Sequence, residues 1–162
     1  MPAMRRKGHA MKPFNFHHAA LAILLLLAAC SPIRGNWTAQ DLETATHFYK
    51  SQRANKEYLR IIRSSGDFNR KFTYEESVAL GREMRKARSE ALQVLADPGF
   101  LKKVHQDIRE HYRDEYLRSL ELTLQNMEHP NYDIAELADR LYNSYVEWYV
   151  DHQTEIHLPK ER

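Results

Sequence analysis

Four stretches of the chain place apolar residues at helical spacing, and none alternates apolar and polar positions as a half-buried strand does. From about Ala39 to Ser64, Leu42, Ala45, Tyr49, Leu59 and Ile62 fall near one face, although Gln52 and Lys56 make the middle of that stripe polar. Thr38 is the expected N-cap, Asp41 complements the first exposed amides, and Ser64-Ser65-Gly66 reads as a stop. From about Tyr74 to Ala96, Thr73 and Glu76 form a capping-box pattern, with Val78, Gly81, Met84, Ala91, Leu92 and Leu95 at helical spacing. Gly81, Ala87 and Ala91 are small enough to let a neighbouring helix come close.

The third helix is expected to start at Pro98, whose missing N–H is harmless in a first turn, behind Asp97 as cap. Leu101, Val104, Ile108, Tyr112, Tyr116, Leu120, Leu124 and Met127 carry the stripe to about Glu128, where His129-Pro130 ends it. At 1.5 Å per residue this span is roughly 46 Å, long enough to leave a kink or a projecting end as open alternatives. The fourth is expected from Ile134, with Asp133 as cap, along Leu137, Ala138, Leu141, Tyr145, Trp148 and Tyr149, fading near Glu155. With no internal repeat, the pattern predicts an all-α fold: an antiparallel up-down bundle of about four helices, or else a looser helical array.

The N-terminal stretch follows another logic. Residues 1–29 hold four basic residues (Arg5, Arg6, Lys7, Lys12) and no acid, and an unbroken apolar run of eleven residues extends from Ala19 to Ala29. A membrane-spanning helix needs about 20 residues, so the run reads as the core of a secretory signal peptide. It ends in Leu27-Ala28-Ala29-Cys30, which resembles the lipobox of bacterial lipoproteins. The resemblance implies cleavage between Ala29 and Cys30, and attachment of a diacylglycerol group and an N-acyl chain, palmitate-like, to Cys30. It implies a domain held at the bilayer and facing the periplasm of the cell envelope. Ser31 stands where inner-membrane lipoproteins of this kind carry Asp, which favours the outer membrane over the inner. Met1, Met4 and Met11 are all candidate starts, and Met11 gives the most compact signal. The expected layout is a signal peptide over 1–29, a lipidated tether over 30–37, a helical domain over 38–158 and a charged tail over 159–162. The tether from Ser31 to Asn36 reaches roughly 20 Å when extended.

Composition narrows the choice. The chain has 162 residues, 24 Lys+Arg against 22 Asp+Glu, and a single Cys, which excludes a disulfide framework or a Cys-rich zinc module. Without the leader the balance becomes 20 basic to 22 acidic, so nucleic acid is not an expected partner. Residues 50–103 carry a net +6 and residues 104–162 a net −7. Either the two halves pack and compensate, or the basic half faces anionic lipid or an acidic partner.

Candidate chemistry is sparse. On a regular helix Asp107, His111 and Asp114 would share a face at a spacing able to hold a divalent metal. Interleaved Arg109, Arg113 and Arg118 make a solvated ion-pair face the plainer reading, so no metal and no cofactor beyond the lipid is expected. Glu43 and His47 form a further i, i+4 pair without a third ligand. Nucleophile elbows, phosphate-binding glycine loops and His-Glu-x-x-His are absent, and an acylated Cys30 cannot act as a nucleophile, so no enzyme is expected. Tyr142, Tyr145, Trp148 and Tyr149 read as core, or as a docking surface for a partner helix. The combined expectation is a non-enzymatic interaction or assembly-accessory lipoprotein bound to an envelope protein. A toxin-neutralising immunity lipoprotein and a metal-binding envelope protein are the alternatives.

Overall fold

A computed structural model describes residues 36–64 and 72–161. The expected leader, Cys30, Ser31 and most of the expected tether lie outside the described residues. What is described is all-helical, without a strand. Five helices follow in order: α1 (Ala39–Ser64), α2 (Tyr74–Leu95), α3 (Pro98–Val104), α4 (residues 108–128) and α5 (Tyr132–Asp151).

The helix starts show why these segments begin where they do. The Thr38 backbone N–H and hydroxyl both donate to Asp41 Oδ2 (2.7 and 2.8 Å), and Asp41 N–H donates back to Thr38 Oγ1 (3.1 Å). Thr73 and Glu76 close the reciprocal capping box ahead of α2. Asp97 Oδ1 accepts from Phe100 N–H at the start of α3, while its Oδ2 accepts from Thr44 of α1. For α5 the cap is Asn131, two residues before the expected Asp133, because its Oδ1 takes the N–H groups of both Asp133 and Ile134.

The long third helix, for which a kink was one open alternative, is interrupted. His105 adopts an extended conformation (φ −166°, ψ 145°) and ends α3 after seven residues. The break exposes the Val104 carbonyl, which accepts from His157 N–H at 2.9 Å. Three fully buried side chains, Phe100, Leu101 and Val104, hold this short helix, at about 1.5–3 kcal/mol each. Beyond the break, α4 opens with an α-turn (Ile108–Glu110), widens into a π-helix (His111–Leu117) and returns to α geometry (Arg118–Glu128).

Packing follows from which side chains meet. α1 runs against α2, with His47 on Glu90 and Ser51 on Ala87. Along α1, Phe48 stacks on Tyr112 and Ser51 meets Tyr116, so α1 and α4 point the same way. Gln52 reaches Tyr145 and Asn55 reaches Tyr142, so α5 runs against α1. The seam of α2 is Leu80, Met84, Ala87, Ala91 and Val94, narrower than the sequence pattern suggested, so Val78 and Leu92 lie outside it and are exposed. After α5, residues 152–161 turn back over α1 and α3. Ile156 and Pro159 are buried, the Tyr49 hydroxyl donates to the Pro159 carbonyl (2.8 Å), and Arg53 pairs with Glu161. Residues 152–161 thus form a docked strap, which includes residues 159–161 of the stretch expected as a charged tail.

Candidate functional site

At mid-height in α4, three tyrosines meet. Tyr112, Tyr116 and Tyr145 are wholly buried, with ring centroids 4.9 to 6.0 Å apart. Ser51 donates its one hydroxyl proton to the Ala87 carbonyl (2.8 Å), so the 2.9 Å contact with Tyr116 has the tyrosine as donor. Gln52 Nε2 donates to the Tyr145 hydroxyl. The Tyr112 hydroxyl is buried beside Ser51 and completes no hydrogen bond of good geometry among the described residues. Burial pushes the hydroxyls of Tyr58, Tyr112, Tyr116, Tyr142 and Tyr145 above the ordinary tyrosine range.

The aromatic stripe of α5 serves this interior. Tyr145 and Tyr149 are buried, and Tyr142 and Trp148 are half-buried.

The Asp107, His111 and Asp114 face does not assemble. The π-helix departs from α spacing between His111 and Asp114, and Asp107 lies in the turn ahead of it. Asp107 accepts from Gln106, and Asp114 holds a two-pronged pair with Arg113, whose guanidinium keeps its carboxyl below the usual range. Among the described residues, no three His, Cys, Asp or Glu side chains come together in a way that could hold a metal. His47 pairs with Glu90 rather than with Glu43.

Sequence reasoning missed what His111 does instead. Its ring lies flat on the Trp148 indole (centroids 4.2 Å apart, planes 16° apart), and His152 also stacks on that indole (4.9 Å, 21°). His105 meets both Trp148 and His152 edge-on at 5.3 and 5.5 Å. His105 comes from the break after α3, which periodicity did not locate. The only sequence signal for the rest was the i, i+4 spacing of Trp148 and His152.

Two ion pairs, Arg53–Glu161 and Arg88–Glu121, join the basic half of the chain to the acidic half. Exposed apolar residues gather where α1 ends and where α2 and α5 begin: Phe72, Tyr74 (84% exposed) and Val78, with Tyr132 (69%) and Leu137. Asn36, where the described chain starts, is at the opposite end of α1, about 39 Å away at 1.5 Å per residue. No described helix is long and apolar enough to cross a membrane.

Neither a protein-family profile, nor a curated protein, nor a solved structure matches this chain.

Proposed function

We propose that the chain is a lipid-anchored lipoprotein of the bacterial envelope. In this reading a signal peptide is removed at Ala29, Cys30 carries the acyl chains, and an antiparallel bundle of about four helices faces the periplasm. Its work is non-enzymatic: it holds a protein partner near the membrane as an assembly accessory. The observation that carries the reading is Leu27-Ala28-Ala29-Cys30 closing an eleven-residue apolar run, with the chain's single thiol at the position where that chemistry uses one. Several acyl chains on one cysteine make a lasting anchor, whereas one chain holds only marginally. Confinement at a surface raises effective concentration, so modest affinity for a neighbour suffices. Ser31 favours the outer membrane as the site of anchoring.

The end bearing Tyr74 and Tyr132 supports the display of a binding surface away from the tether. Photo-crosslinkers placed at Tyr74 and Tyr132 in intact cells test the reading. Adducts with an envelope protein that vanish in Cys30→Ser are expected. Adducts unchanged by Cys30→Ser, or none from either position, would contradict it.

A further inference from the structure

We propose that the His111–Trp148–His152 stack is a proton-operated clamp that fastens the C-terminal strap to the body of the protein. The hydrogen bonds around the three histidines fix where their protons lie. His152 Nδ1 contacts the Trp148 carbonyl at 2.8 Å, and a carbonyl only accepts, so Nδ1 carries the proton. His111 Nδ1 contacts a Glu115 carboxylate oxygen at 3.0 Å, and again Nδ1 carries the proton. His105 is the reverse: its Nδ1 accepts the Asp107 N–H at 3.1 Å, so its proton sits on Nε2, facing Glu155 at 3.4 Å.

These tautomers give the rings different responses to acid. His111 and His152 each have an unprotonated Nε2 and can take a proton without losing the bond each already makes. Protonating His105 at Nδ1 would break its bond to Asp107. An imidazolium over an indole face gains a cation–π attraction, and the Glu115 bond becomes charge-assisted. The charged and titratable groups around the stack favour this. Glu115 and the Arg113–Asp114 pair come from the π-helix, and Glu155 comes from the strap and faces His105 Nε2. Ser144 on α5 donates to Glu115 at 3.0 Å and holds that carboxylate in place.

What the clamp closes is specific. His152 is the C-cap of α5, where the strap departs, and the strap continues through Ile156, the His157–Val104 bond and the Tyr49–Pro159 bond. Protonation of His111 and His152 tightens the strap on α1 and α3. Raising the pH loosens it.

Histidine-ring NMR of the unmutated full chain in detergent reads the tautomers directly at pH 7.5. Nδ1–H on His111 and His152 and Nε2–H on His105 are expected, and Nε2–H on His111 and His152 would overturn the proposal. Amide exchange, corrected for intrinsic rates, tests the consequence. Protection at His157 should rise about five-fold between pH 7.5 and 5.5. That rise should vanish in His111→Gln/His152→Gln and persist in His47→Gln, which removes the separate Glu90 pair. Unchanged or reduced protection in the wild type at pH 5.5, or the same rise in the double variant, would overturn the clamp.

Discussion

Tyr116 donates a 2.9 Å hydrogen bond to Ser51 across the interior, and this bond joins the middle of α4 to α1. Ser51 donates its own hydroxyl hydrogen bond to the Ala87 carbonyl of α2, so one serine ties three helices together. Ser51→Ala leaves the buried Tyr116 hydroxyl without its acceptor and should lower stability by about 1–3 kcal/mol. Tyr112→Phe should not lower stability and should raise it by up to about 1 kcal/mol, because it removes a buried hydroxyl that completes no hydrogen bond of good geometry among the described residues. Urea unfolding of the two variants beside the wild type checks both signs.

Asp41 is almost wholly buried and accepts from Lys103 Nζ at 2.7 Å. Its burial alone would raise the carboxyl, but bonds from Lys103 and Thr38 outweigh that and hold it below the usual range. A lowered folded-state value means the contribution is complete above the unfolded carboxylate range, about 3.9, and is lost as pH falls through the folded value. Asp41→Asn should lower stability at pH 7 by about 1–2 kcal/mol, with Lys103 half in solvent limiting the loss. The variant should also lose less stability than the wild type on acidification below pH 4, as thermal midpoints across that range would show.

The five tyrosines raised by burial give the opposite limb. Their unfolded forms ionise near about pH 10, while the folded forms hold their protons to higher pH. Stability from this source is complete below that point and falls as pH rises above it. Absorbance of tyrosinate and helical circular dichroism, followed together above pH 10, should change in one step for the buried set. Ionisation of that set well before the helices melt would mean the rings are more open to water than the packing allows.

Much of the helical frame was legible because it rests on local chemistry. Thr38 with Asp41, Thr73 with Glu76, and Asp97-Pro98 each mark a start through a cap that needs only neighbouring residues. The break at His105 was not legible, because the group that satisfies the freed Val104 carbonyl is His157, far away in sequence. The π-helix left a trace. Ile108, Tyr112, Tyr116 and Leu120 recur every four residues, and each such step over-rotates a 3.6-residue helix by about 40°. Widened π turns offset that drift and keep all four side chains buried. The spacing of Asp107, His111 and Asp114 places them on one face only in regular α geometry, which the π-helix does not keep. The histidine stack on Trp148 was hidden because its members come from a helix break, the π-helix and the end of α5, and only the fold brings them together.

Acylation of Cys30 is the point on which the functional account turns. Cells expressing the full chain and its Cys30→Ser variant are fed labelled palmitate, then fractionated, and the N-terminus of the product is sequenced by mass spectrometry. The account predicts a labelled, membrane-bound product beginning at Cys30, and an unlabelled variant lost from the membrane. A wild-type product that keeps residues 1–29 and stays in the soluble fraction, or label that persists in the serine variant, would contradict it.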